Sequence, residues 1–141
     1  MISEKTKNDF TVALMNIYKL KVTDTFKVFL EGETSVLFLL LSNHGKFLTP
    51  SQIAEGLHVT KGRVTVMLNS LLDKGLIEMT VSKEDRRKYE VSLTNEGTLE
   101  IGKYVKDADE KVSEILSNIG EENASELARI LNIIVSESEV K

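Results

Sequence analysis

The sequence contains no cysteine, a single proline at Pro50 and only two histidines, His44 and His58. The absence of cysteine excludes disulfides, thiolate metal sites and cysteine-based redox sensing, and it fits a reducing compartment. Two imidazoles are too few for a dedicated transition-metal site, so no metal is expected. His44 reads as a helix-end residue and His58 as a turn residue. Long hydrophobic runs are missing as well. No apolar stretch approaches the roughly 18 residues a membrane span requires, and the opening MISEKTKNDF holds no apolar segment of the signal-peptide kind. The expectation is a soluble, cytoplasmic protein with no membrane partner. Catalytic signatures are also lacking: there is no GxxxxGK[ST] or GxGxxG phosphate loop and no histidine with an evident nucleophile beside it. An enzyme is not expected, nor is a cofactor.

What is present is 141 residues, 41% of them hydrophobic, enough for one domain with a modest core and no visible linker. The net charge of −4 argues against a nucleic-acid partner only as an average. Residues 35–94 hold eight basic and six acidic side chains, a net +2, whereas residues 1–34 balance. Residues 95–141 set five bases against eleven acids, a net −6 that outweighs the rest. The middle of the chain is a separate electrostatic unit.

That unit is well punctuated. ETSVLFLLLSNHG reads as a brief apolar helix closed by Gly45. LTPSQIAEGL opens with Thr49 as N-cap, Pro50 at the first helical position and Gln52 at the third, a capping box. After the break HV, Thr60 is the next N-cap, and Val64, Met67, Leu68, Leu71 and Leu72 recur at helical spacing until Gly75. Ile53, Ala54, Leu57, Val59 and Val64 are the apolar positions that would lock the two helices into a helix-turn-helix. Beyond Gly75 the period falls to two, with Ile77, Met79 and Val81 on one strand and Tyr89, Val91 and Leu93 on the next. The charged run KEDRRK between them becomes a hairpin tip, and a hairpin directly after a helix-turn-helix is a wing.

The stretch LTPSQIAEGLHVTKGRVTVMLNSLLDKGLIEMTVSKEDRRKYEVSLTNEG resembles the winged helix-turn-helix of the MarR family of bacterial transcriptional regulators. The resemblance covers about a third of the chain closely. It is carried by Leu76 and Ile77 after DKG, by Asp85, Arg86 and Arg87 in the wing, and by the exit VSLTNEG. It implies a fold that is mainly α with a small β wing, in a single domain 1–141. The winged helix-turn-helix DNA-binding lobe would occupy 35–94, with N- and C-terminal dimerisation helices in 1–34 and 95–141. It further implies a repressor that binds a palindromic double-stranded DNA operator as a homodimer. The second helix would enter the major groove and the wing tip the neighbouring minor groove. A small organic effector, such as an organic anion or phenol, would bind between the dimer helices and the DNA-binding lobe; Tyr18, Phe26, Phe29 and Phe38 are candidates to line its pocket.

Residue by residue, the second helix can be laid out at about 100° per position. With Val64, Leu68, Leu71 and Leu72 toward the core, Gly62, Val66, Asn69 and Ser70 point away and Arg63 lies on the flank. Arg63 can donate bidentately to guanine, Asn69 suits adenine, and Lys61, next to the Thr60 cap, suits a phosphate. Val66 departs from the family, where a polar residue is common; it either is an incidental surface valine or offers only van der Waals contact, as to a thymine methyl. In the wing, Arg87 matches the family's tip arginine and fits a narrow minor groove. Arg86 and Lys88, with Lys83, either contact phosphates or simply keep the hairpin tip soluble. Asp85 cannot approach phosphates favourably and instead would brace the tip by pairing with an arginine.

Outside this unit, Ile101, Val105, Ala108, Val112, Ile115 and Ile119 recur at steps of four and three, a heptad seam. Leu127, Leu131, Ile134 and Val135 follow on a final helix, and Phe10, Leu14, Ile17 and Tyr18 form a stripe near the start. These stripes need cover, from a second copy or from one another in an intramolecular helical subdomain. One alternative to the regulator is a winged domain that binds protein and not DNA, since fold alone does not set function. The basic residues Lys61, Arg63, Arg86 and Arg87 on the predicted DNA face count against it.

Overall fold

The structure, a computed structural model, describes residues 1–139; residues 140 and 141, the end of the expected dimerisation segment, lie outside it. Among the described residues, seven helices and a two-stranded antiparallel sheet follow in the order α1 (Glu4–Tyr18), α2 (Lys21–Leu30), α3 (Gly32–Ser42), α4 (Pro50–Leu57), α5 (Lys61–Asp73), β1 (Ile77–Val81), β2 (Tyr89–Leu93), α6 (Asn95–Ile119) and α7 (Glu121–Glu139). This is a winged helix fold with helical extensions on both sides.

The centre is α3. Its segment GETSVLFLLLS is apolar nearly all round, the pattern of a helix buried on every side. Val36, Leu37 and Leu40 are buried, and α2, α4, α5, α6 and β2 all pack on α3. α2 gives way to α3 at Glu31 and Gly32, where a φ of +69° suits the residue without a Cβ. Ile53 from α4, Val64, Leu68 and Leu71 from α5, Ile77 and Val91 from the wing, and Ile101 from α6 complete one continuous core. The hairpin register runs from Ile77 opposite Leu93 to Val81 opposite Tyr89, so the apolar alternation puts Ile77 and Val91 inward.

Four details differ from the sequence reading. The wing sheet gains a bridge, since Leu48 N donates to Val91 O at 3.0 Å and Val91 N to Leu48 O at 2.8 Å. Pro50 favours this by keeping the preceding Thr49 extended. Second, Leu72 is 37% exposed, at the edge of the buried α5 stripe. Third, the seam on α6 is divided. Ile101 and Ala108 are buried within their own chain, whereas Val112 and Ile115 are half-buried and Ile119 is exposed. Fourth, α3 begins at Gly32, so the lobe boundary expected between residues 34 and 35 falls inside a helix.

α1 and α7 contrast with the rest. Neither contains a buried residue. Phe10 on α1 is 56% exposed and Leu131 on α7 is 53% exposed, and Leu14, Ile17 and Leu127 are exposed with them. Among the described residues α1 and α7 make no extensive contact with each other, which does not favour the intramolecular helical subdomain.

Candidate nucleic-acid interface

The helix pair is built as its local chemistry dictates. Thr49 Oγ1 accepts from Gln52 N at 3.2 Å while Gln52 Oε1 accepts from Thr49 N at 2.9 Å, closing the capping box that starts α4. His58 ends α4 in the left-handed conformation, with φ 55°, and turns the chain toward α5. Thr60 caps α5, its hydroxyl accepting from Arg63 N at 3.2 Å. Val64, Met67, Leu68 and Leu71 bury one side of α5.

The opposite side of α5 is free. Lys61, Gly62, Arg63, Val66 and Asn69 are all exposed, Val66 at 70%. Arg63 also lines a groove of about 490 Å³ with Leu30, Ser35, His58, Thr60 and Met67. Ser70 is less open than the helical repeat implied: it is half-buried, near the Glu33 carboxyl of α3. Lys74 Nζ, just past the end of α5, sits 2.7 Å from Glu33 Oε2. Lys74 first and Ser70 second hold the Glu33 carboxyl below its ordinary pKa. This cluster tethers the end of α5 to the start of α3. The pairing spans 41 residues and left no signal in the sequence.

The wing tip runs from Ser82 to Lys88. Ser82 is buried, and its hydroxyl accepts from the backbone N–H groups of Glu84 and Asp85, both at 3.3 Å, which folds the turn. Ser82 N donates to Lys88 O at 2.9 Å and Lys88 N to Asp85 O at 2.9 Å. Asp85 Oδ1 then accepts from both Arg87 N and Arg87 Nε at 3.1 Å, and Oδ2 from Arg87 Nη2 at 3.4 Å. The guanidinium is therefore oriented, yet the Arg87 side chain stays 91% exposed. Arg86, Lys83 and Lys88 are exposed beside it.

Arg87, through its side chain first and its backbone N–H second, holds the Asp85 carboxyl below its ordinary pKa. A carboxyl depressed in the folded state contributes order above its unfolded pKa and loses that contribution as pH falls through the folded one. Followed by NMR, Asp85 should titrate below an ordinary aspartate, and Arg87→Ala should return its midpoint upward. An unchanged midpoint in that variant would detach Asp85 from Arg87.

Away from this face, Phe26, Phe29, Leu30, Phe38, Val105 and Val112 line an open apolar groove of about 550 Å³ between α2 and α6. Phe29 and Phe38 pack with ring centroids 4.5 Å apart. Tyr18 does not join them. It is exposed, with Lys27 Nζ 5.2 Å from its ring centroid. His44 and His58 both have positive φ at helix ends. Among the described residues no cluster of metal-ligating side chains occurs, and no helix is long and apolar enough to cross a membrane.

Comparison with known proteins brings a family into view. A model of the MarR family matches residues 31–88. The chain is 35% identical over 96 residues to the HTH-type transcriptional repressor MdtR of Bacillus subtilis, a match covering 67% of this chain and 61% of MdtR. It is 28% identical over 101 residues to the HTH-type transcriptional repressor YetL of Bacillus subtilis, covering 72% of this chain and 60% of YetL. The matched part thus spans about three fifths of either relative's length. In fold it is similar to Streptococcus pneumoniae FabT, solved in complex with DNA, with a TM-score of 0.71 at 24% identity over 99% of this chain and 100% of that one.

Proposed function

The chain belongs to the MarR family, and from that premise we propose that it is a sequence-specific DNA-binding transcriptional regulator. On this reading it is a ligand-responsive repressor that binds a palindromic operator as a cytoplasmic homodimer. The observation that carries the proposal is the face formed by α5 and the wing. Its exposed helix side bears Lys61, Arg63, Val66 and Asn69, and Asp85 presents Arg87 at the tip, all within a segment of net charge +2. In this role α5 lies in the major groove. Arg63 and Asn69 read guanine and adenine edges, while Lys61 and the Thr60 end of the helix approach a phosphate. Gly62 leaves room for close approach. Arg87 enters the adjacent minor groove, Arg86 and Lys88 contact its phosphates, and Ser70 acts through the Glu33 tether. A winged domain that binds only protein is not favoured, since the relatives are transcriptional regulators.

The dimer is proposed from the uncovered stripes. Phe10, Leu14 and Ile17 of α1 and Leu127 and Leu131 of α7 would be buried by a second copy, together with Val112, Ile115 and Ile119 at the far end of α6. The groove between α2 and α6 is the proposed effector site. Its charged lining residue is Asp109, which favours a neutral phenol or a cationic apolar molecule over an organic anion.

Selection of purified protein on random duplex DNA at graded salt tests the reading. An inverted repeat should be enriched, with half-site centres about 10 base pairs apart, and affinity should fall steeply with salt as counterions are released. Arg63→Ala should relax preference at one base pair per half-site, at about 1–3 kcal/mol for each bidentate contact. Arg87→Ala should weaken binding through the flanking minor groove and leave that preference intact. Salt-insensitive binding, or wild-type affinity and selectivity in both folded variants, would refute the assignment.

A further inference from the structure

We infer that the centre of α5 reads the 5-methyl group of thymine, with Val66 as the specificity-determining residue. Each operator half-site then carries a thymine facing Val66. This rests on the DNA-binding role proposed above and adds the chemistry of the contact.

Four observations on α5 converge. Val66 is 70% exposed, whereas Val64, Leu68 and Leu71 are essentially buried, Met67 nearly so, and Leu72 is exposed at only 37%. Val66 lies on the side opposite them, so it does not contribute to the core of its own chain. Thr65 stands beside it, exposed, and its hydroxyl already donates to Lys61 O at 3.0 Å. With its proton spent there, Thr65 can offer an incoming base its methyl group and, as an acceptor only, its hydroxyl oxygen. One turn earlier is Gly62, whose backbone is helical and where an added Cβ would meet nothing within 4 Å. The chain itself has no need of glycine there.

Gly62, Thr65 and Val66 are all poorer helix formers than alanine, lysine or glutamate, the residues that best suit an exposed helix face where packing does not decide. Three such residues on one open face follow from contact with something outside the chain. The surface they make is shallow and methyl-lined at its centre, with Arg63 and Asn69 as polar flanks. Among the base-pair edges in the major groove, only thymine presents a methyl group, and apolar side chains are its natural contacts. A valine aimed at a cytosine amino group or a guanine carbonyl would instead desolvate a polar atom without replacing its hydrogen bond.

The test uses full-length protein and the duplex it selects. Each thymine of a half-site is replaced in turn by deoxyuridine, which removes the methyl and keeps every hydrogen-bonding group. At one position per half-site, wild-type affinity should fall about fourfold, and about fifteenfold when both halves are substituted, the loss expected for one buried methyl per half-site. Val66→Ala, on an exposed helical position where folding should be unaffected, should bind the thymine site more weakly and no longer distinguish it from the uracil site at that position. Wild-type protein that tolerates uracil at every thymine would overturn the inference, as would Val66→Ala protein that keeps the full uracil penalty. Either result leaves the selected site and the regulator role standing. Failure to enrich any duplex would instead remove the DNA-binding role, and this contact with it.

Discussion

Leu131→Asp should convert the proposed homodimer into folded monomers and abolish tight binding to the proposed palindromic site. Within one chain Leu131 is 53% exposed on a helix that buries no residue, so a carboxylate there is solvated. The cost to the monomer should stay within about 0.5 kcal/mol, the range of an ordinary surface substitution. Across a two-fold interface the same carboxylate would be taken out of water without a partner, at several kcal/mol, and would occur twice. Sedimentation should therefore show half the mass with helicity retained. DNA binding should drop with it, because two winged lobes at fixed spacing engage one site far more tightly than either alone. Ile115→Asp is the less discriminating variant: Ile115 is half-buried by its own chain, so unfolding and dissociation would be mixed. A Leu131→Asp protein that sediments as a folded dimer and holds a palindromic site like wild type would take α7 out of the interface.

The contrast between Leu131 and Ile101 shows what a sequence conveys about such stripes. Both are apolar positions at helical spacing, yet α3 covers Ile101 while Leu131 is left open. Periodicity reports that a face wants cover; it is silent on whether the cover comes from the same chain. The elements legible in advance were those whose causes are local. The Thr49–Gln52 capping box, the Thr60 cap and the strand alternation from Ile77 to Val81 depend on residues a few positions apart. Ser70 and Leu72 were misplaced for the complementary reason. An angular position about the axis of α5 does not say that Ser70 is half-buried near Glu33, or that Leu72 is left 37% exposed. The Leu48–Val91 bridge was invisible because a single pair has no period. Among the site candidates, the exposure of Val66 and Asn69 followed from the helical repeat. The Ser82 hydroxyl that folds the wing tip did not, since a serine before a charged run has no distinctive pattern.

Gly97→Ala should be a highly damaging single-methyl change, placed where α6 meets the winged lobe. Gly97 lies in the first turn of α6, in the exit VSLTNEG, and its N–H donates to the Thr94 cap at 3.0 Å. A Cβ built there would fall 1.9 Å from Leu76 O, 2.9 Å from Leu76 C and 3.2 Å from Leu93 Cδ2. The first two are backbone atoms of the turn between α5 and β1, so no rotamer change relieves the clash. Nor can that turn retreat freely, because Thr94 N donates to Leu76 O at 3.2 Å and Thr94 Oγ1 to Gly75 O at 2.7 Å. The same bonds attach α6 to the lobe, so the methyl forces a choice between breaking them and tilting the arm. The expected loss is about 3 kcal/mol, the upper end for overpacking, with a fall in Tm of about 10 °C. Gly102→Ala, on the same helix but with no atom within 4 Å of the added Cβ, should instead raise stability by about 0.5–1 kcal/mol. Scanning calorimetry on the pair separates packing from helix propensity. If the two variants melted alike, the close approach of α6 to Leu76 would not hold in solution. If Gly97→Ala lost operator binding while keeping its dimer mass, the angle between the dimer arm and the reading helix would be what the glycine secures.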